Sequence, residues 1–342
     1  MTNGTSSSGD FEPTPAELFT NPSDGFIAIV AIDCAAWLFL LGVHIVSLVR
    51  HFRTPNCENQ RYRSAVRFVN GAPMFMGTVS LACLFFPRAM VYLTMVQSVY
   101  EAASLYFFYR SICSLLGEAP HMLKVLSALP AKNYFAVPPF RGCFKGTGEF
   151  VIDESHLAKI RRAVLQLCVV RPVMLLVAVL MQASGNYEIG VLKLSNGYFW
   201  VTIINTISLM ITMWALLVLL FATRSILGEF HFVAKLVCIK LVFLLSVVQN
   251  LLLSILHRAG AIEANSIFSN TGMAESWLNW LLVIEMALLA VLFLRAFPTS
   301  EYALVPAPGS LTNAGQLELQ RLAAGSTSLL ANTSAGVRDG RV

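Results

Sequence analysis

The sequence predicts an all-α membrane protein: a seven-transmembrane helix bundle with its N-terminus outside and its C-terminus in the cytoplasm. Three observations predict it. Of 342 residues, 56% are hydrophobic and only 13% charged, against about 25% charged in soluble domains. So few ionic groups cannot cover the surface of a water-soluble domain of this size, and the mean hydropathy of +0.67 agrees. Seven separate runs each supply about the 20 apolar residues that a helix needs to cross a hydrocarbon layer of about 30 Å. Finally, Lys and Arg gather in alternate connecting segments, as the positive-inside rule requires. The composition argues against a soluble enzyme, a disordered scaffold and a nucleic-acid partner.

Residues 1–25 have no Lys or Arg and carry Asp10, Glu12, Glu17 and Asp24. This acidic segment lacks the basic start and apolar core of a secretory signal. Within it, Asn3-Gly4-Thr5 is an N-glycosylation sequon on the expected outer side, whereas Asn332-Thr333-Ser334 lies inside and should be silent. The expected spans are 26–49, 68–86, 89–109, 163–183, 198–222, 236–256 and 277–297. Pro87-Arg88 stops the second span and charges the joint, so the second and third are expected to be antiparallel across a tight turn. Gly71, Pro73 and Gly77 allow the second span to bend or to approach a neighbour closely. Pro172 should kink the fourth and free a carbonyl beside Arg171.

The cytoplasmic loop 110–162 contains Met122, Leu123, Val125, Leu126 and Leu129 at helical spacing beside Lys124. They predict a short helix, either lying on the inner membrane surface or packed within the loop. The tail 298–342, rich in Ala, Gly, Ser and Thr, is expected to be disordered. It includes a tyrosine-based sorting pattern, Tyr302-Ala303-Leu304-Val305. No long internal repeat is visible, so an inverted-repeat transporter is not supported.

Of 24 basic residues, 19 fall in the four expected inner segments. The net charge of +5 is thus mainly an address on the cytoplasmic face. The exceptions inside the spans matter more. Ionisable groups cost about 2.5–3.5 kcal/mol at a helix centre on insertion scales and face protein or water. Five lie within them, apart from Arg295 at the inner end of the last: Asp33, Glu101, Arg171, Lys240 and Glu285. Counting about 1.5 Å per residue, Glu101 and Arg171 reach the same depth near the midplane, which predicts an ion pair, either structural or functional. Thr94, Gln97, Glu101 and Ser104 share one polar face. Asp33 and Glu285 lie nearer the outer edge, within reach of an outward-facing cavity. Lys240, about one turn from the inner edge, can snorkel to the headgroups.

Seven cysteines are an odd number, and Cys34, Cys83, Cys168 and Cys238 read as small core residues. Cys143, between Arg141, Phe140, Phe144 and Lys145 at the expected inner face, suits either S-acylation or ordinary burial. The histidines are scattered among loops and span ends, so no metal site and no cofactor are expected. Gly146-Thr147-Gly148 lacks the Lys-Ser/Thr of a phosphate loop, which argues against ATP-driven pumping. Tyr109-Arg110-Ser111 only faintly echoes the G-protein-coupled receptor signature, and the last span has no lysine for a retinal.

Pro87-Arg88, Tyr100-Glu101, the run Leu165-Gln166-Leu167-Cys168-Val169-Val170-Arg171-Pro172, the run Lys235-Leu236-Val237-Cys238-Ile239-Lys240, and Ile284-Glu285-Met286 occur in one order. Together they resemble motifs of the organic solute transporter alpha-subunit family over roughly residues 25–297. The resemblance implies a seven-span fold. For the family's animal members it implies facilitated movement of bile acids, conjugated steroids and related amphipathic organic anions with a single-span beta subunit. The charges at Glu101 and Lys240, and a cytoplasmic loop with the single Cys143 between Pro138 and Lys145, are closer to the broad eukaryotic branch than to the animal bile-acid carriers.

The expected function is therefore facilitated, not ATP-driven, transport of amphipathic anions by a multi-pass protein of the plasma membrane or an endomembrane. The candidate residues are Glu101, Arg171, Glu285, Lys240, Asp33 and Gln97. The expected partners are membrane lipids, the anionic solute, and a single-span beta subunit or a second copy. A trafficking or scaffold protein of the same fold is the alternative, ahead of a seven-span receptor; an enzyme is not expected.

Overall fold

The computed structural model describes residues 24–54, 59–117, 119–138, 140–144, 146, 148–186, 193–258 and 270–305. Its described elements are helical, apart from one isolated antiparallel bridge between Lys132 and Phe150. The helices are α1 (Asp24–Arg53), α2 (Gln60–Asn70), α3 (Ala72–Phe85), α4 (Met90–Leu116), α5 (Ala119–Ser127), α6 (Arg141–Phe144), α7 (Glu154–Ala183), α8 (Gly197–Ala222), α9 (Phe232–Arg258) and α10 (Asn270–Ala296). Among the described residues, five stretches are long and apolar enough to cross a membrane: Gly25–Arg53, Gln60–Phe85, Glu154–Ala183, Gly197–Ala222 and Ser276–Leu304. The third and sixth expected spans fall on α4 and α9, each 27 residues long.

Two boundaries differ from the sequence pattern. The second crossing stretch starts at Gln60, because α2 precedes α3 across Gly71. Tyr62, Ala65, Val66 and Val69 bury one face of α2 while Arg61, Arg63 and Arg67 break up its hydropathy, so a search for apolar runs passes over it. The tail expected from residue 298 starts later, since Thr299–Leu304 form a 3-10 turn with Glu301 and Tyr302 buried. At 1% exposure, the Tyr302 ring is enclosed in protein, contrary to the exposed sorting pattern. Asn3, Asn332 and the tail beyond Val305 lie outside the described residues.

The chain divides into two units. The first comprises Met1–Arg53, Phe68–Ser104 and Lys235–Phe297. In it α1 and α3 pack on α10. Gly77 permits their close approach: a Cβ there would stand 2.5 Å from Leu40 Cδ2 and 3.3 Å from Met286 Cβ. The Trp37 indole N–H donates to Thr78 Oγ1 at 3.0 Å. Tyr100 donates its hydroxyl to the Phe68 carbonyl at 2.8 Å and stacks on Phe75 with ring centroids 4.0 Å apart. This satisfies a phenol in an apolar setting while keeping its ring packed.

The second unit comprises Thr54–Arg67, Leu105–Ala234 and Pro298–Val342. Here α7 and α8 pack along a polar seam. Gln166 donates to the Ser208 carbonyl at 2.8 Å, Ser208 Oγ donates back to Gln166 Oε1 at 2.9 Å, and Thr212 Oγ1 donates to the Ala163 carbonyl at 3.0 Å. Such bonds hold helices together where lipid removes the hydrophobic drive. α7 is continuous through Pro172. It is N-capped by Asp153, whose side chain accepts the His156 backbone N–H at 2.9 Å in a capping box. That bond, with the Ser155 hydroxyl, holds the Asp153 carboxyl below the usual carboxylate range.

In the segment between α4 and α7, α5 buries Met122, Val125 and Leu126, with Leu129 just beyond it also buried. The core-packed reading of that helix therefore holds, and the surface-lying one does not. Trp214 of α8 anchors the following segment: its indole N–H donates to the Phe135 carbonyl at 3.0 Å and its ring stacks on Phe144 at 5.1 Å. The remaining surface inverts soluble logic. Val169, Val173, Leu176 and Leu180 of α7 are each more than half exposed at spacings of one helix face. On α1, Ile27, Leu38 and Phe39 are also more than half exposed, and Ile32 is half exposed. Apolar stripes this long are stable against lipid tails, not water.

Candidate functional site

Five of the six candidate residues belong to the first unit: Asp33, Gln97, Glu101, Lys240 and Glu285. Glu101 is 8% exposed on α4, below the half-buried Gln97, and Ser104 one turn on is fully enclosed. The polar face of α4 thus turns into protein at its Glu101 end, as intramembrane polar groups must. Lys240 of α9 is exposed and interacts electrostatically with Glu101. This couples a buried anion to a cation on a helix face that is otherwise apolar, with Val237 and Leu244 about half exposed on either side.

Glu285 is half-buried on α10, and its carboxyl interacts with the Gln249 side chain of α9. Gln249 escaped the sequence reading because a neutral amide raises no charge signal in an apolar run. Lys235 escaped as well. It precedes the expected span 236–256 like a loop charge, yet it is 1% exposed, with its ammonium 5.6 Å from the centre of the Phe297 ring. Asp33 of α1 is fully enclosed, and neither carboxylate oxygen has a hydrogen-bond partner among the described residues.

The same unit contains a polar crevice among His44, Ser47, Asn70, Pro73, Ala290 and Phe293. Its volume is about 10 Å³, enough for one water molecule and far below the hundreds of Å³ that a drug-sized ligand fills. Asn70 Nδ2 donates to Ser47 Oγ on its wall.

Arg171 belongs to the second unit, half-buried on α7 one helix face away from the exposed stripe. The expected Glu101–Arg171 pair joins residues of different units and stands as a proposal. Cys143 is exposed on α6, between rings that pack inward: Phe140 and Phe144 both meet Trp214. Among the described residues no group of His, Cys, Asp and Glu side chains could hold a metal ion.

A family model described as the organic solute transporter Ostalpha matches residues 26–302. The chain is also 24% identical over 289 residues to a transmembrane protein 184 homolog of Dictyostelium discoideum, which covers 82% of this chain and 54% of that protein. It thus spans about half the length of the curated relative that it matches. No solved structure matches.

Proposed function

The chain belongs to the organic solute transporter Ostalpha family, and from that premise we propose that it is a multi-pass transporter moving amphipathic organic anions, such as steroid or bile-acid conjugates or lipids, down their gradients. The observation that carries this reading is the family match across residues 26–302. The first unit supports it. Glu101 and Gln249 are buried and Glu285 half-buried in it, supplying polar groups where a scaffold would need only apolar packing.

Seven crossings belong to the same proposal. At about 1.5 Å per residue, the 27 residues of α4 and of α9 are long enough to span about 30 Å. The N-outside orientation is proposed from the gathering of Lys and Arg in alternate connecting segments. Exposed Tyr92, Trp200 and Trp277, near the N-terminal ends of α4, α8 and α10, suit a membrane–water interface on either side. Arg171 and Glu101 are the proposed midplane charges. A solute anion would compete with Glu101 for the guanidinium, because one cation cannot fully engage both. A single-span beta subunit or a second copy is the proposed partner, with Cys143 as an S-acylation site and Asn3 as a glycosylation site. No catalysis and no cofactor are part of the proposal.

The test is uptake of labelled steroid and bile-acid conjugates into proteoliposomes, with and without a single-span partner. Saturable uptake that needs no ATP is expected. Folded protein that moves no amphipathic anion under either condition would overturn the reading in favour of a trafficking or scaffold role.

A further inference from the structure

Asp33 stands apart from every other intramembrane charge in the first unit. Glu101 has Lys240, and Glu285 has Gln249. Asp33 is 0% exposed, and both of its carboxylate oxygens lack a hydrogen-bond partner among the described residues. A lone ionised carboxylate enclosed by apolar helices is strongly disfavoured, and protein answers this by pairing it or neutralising it.

The helix register shows what surrounds it. Leu40, Gly77 and Met286 meet at one level of α1, α3 and α10. His44 and Ser47 share a crevice with Asn70 and Pro73 on one side and Ala290 and Phe293 on the other. α1 therefore runs parallel to α10 and antiparallel to α3. Carrying that register two turns back from Leu40 sets Asp33 beside the level of Asn279 and Trp280 on α10, and Trp37 beside that of Ser80 on α3. Trp280 Nε1 and Ser80 Oγ are likewise enclosed and without a hydrogen-bond partner among the described residues. A carboxyl, a hydroxyl and an indole N–H thus gather on successive levels of one three-helix seam, each with unused bonding capacity.

Other titratable and charged groups with described side chains on these helices are Cys34, His44, Arg50, His51 and Arg53 on α1, Cys83 on α3, and Glu285 and Arg295 on α10. α4, which reaches the seam through Met90 and Asn279, adds Tyr92, Tyr100 and Glu101 within this unit. The turn after α3 adds Arg88, whose side chain is exposed whereas Asp33 is enclosed. The basic groups of α1 and α10 lie toward the opposite end, from His44 onward, at least 11 residues or about 16 Å along the axis from Asp33.

We propose that Asp33 is an exchangeable proton-binding site. The carboxylate takes one proton from water to become the neutral acid, and returns it to water when deprotonated, with no other reactant. In the enclosed arrangement the proton is occluded. Exchange requires α1, α3 and α10 to part, so proton binding is tied to a movement of the bundle. The proposal concerns the protein alone and stands whatever solute it carries.

The test is infrared spectroscopy of the full chain in lipid nanodiscs, without solute, after labelling with carboxyl-¹³C aspartate. A carboxylic-acid C=O band that moves on labelling is expected at neutral pH in wild type. It should vanish in Asp33→Asn and be insensitive to aspartate labelling in Asp33→Glu. After transfer to heavy water its deuterium shift should lag the bulk by far more than that of a surface carboxyl. A wild-type spectrum with no labelled acid band at neutral pH overturns the proposal even if neither variant folds; so does an acid band that persists in folded Asp33→Asn. Loss of transport with the band intact would instead bear on the proposed function.

Discussion

Trp37 donates its indole N–H to Thr78 across the α1–α3 contact, one residue from the point where Gly77 lies against Leu40 and Met286. Lipid tails are as apolar as side chains, so helices gain little from leaving lipid. Close approach and interhelical hydrogen bonds must hold them. Gly77→Val should cost about 1–3 kcal/mol by overpacking. Gly77→Ala should cost less, because the nearest atom is the free end of the Leu40 side chain. Thermal midpoints of the purified variants check this, and a Gly77→Val midpoint equal to wild type would contradict the packing described.

The Glu101–Lys240 coupling predicts non-additivity. Glu101→Gln and Lys240→Met should each destabilise the protein, with Glu101→Gln the worse because it alters the buried partner. The double variant Glu101→Gln/Lys240→Met should lose less than the two single losses added together, with a coupling of about 0.5–3 kcal/mol for groups in one network. Chemical denaturation of the four proteins in micelles supplies the double-mutant cycle, and strict additivity would show that the two do not communicate.

Trp214 is the post to which the 135–150 segment is tied. Trp214→Ala removes the stack with Phe144 and the hydrogen bond to the Phe135 carbonyl together. A loss of about 3–5 kcal/mol is the usual cost of deleting a large aromatic from a core. Limited proteolysis should then cut within 132–150 far faster than in wild type, and unchanged cleavage would count against the anchoring role.

The N-cap of α7 carries a pH dependence whose sign is set by Asp153. Hydrogen bonds from His156 N–H and the Ser155 hydroxyl hold its folded carboxyl below the ordinary range. Its contribution is therefore complete above the ordinary carboxylate range and fades as pH falls through the lowered value. The protection of the His156 and Leu157 amides, relative to their intrinsic exchange rates at the same pH, should fall in acid. Asp153→Asn, which caps without titrating, should flatten that acid dependence.

Cys143 is exposed while Phe140 and Phe144 on either side of it pack against Trp214. Acyl-exchange labelling should mark wild type and lose the mark in Cys143→Ser. Equal labelling of the two would dismiss the proposed acylation there.

The apolar runs of α1, α7, α8 and α10 were legible because each is long, uniform and bounded by charge, so hydropathy alone outlines them. α2 was not, because its core face repeats at helical spacing between arginines, and a run-based reading sees only the polar residues. The buried charges were legible as exceptions within apolar runs. Their partners were less so: Gln249 looks like any polar residue, and Lys235 like any loop lysine, until burial singles them out.

By itself the sequence determined the solvent of this protein, its helical class and the set of rare intramembrane charges. Hydropathy and the cost of burying charge are local properties of residues. Only the tertiary structure decided that Glu101 interacts with Lys240, that Tyr302 is enclosed, and that Asp33 has no partner among the described residues. Which side chains meet depends on helix register and rotation, set by close contacts such as Gly77 with Leu40 and Met286, and those join residues far apart in the chain.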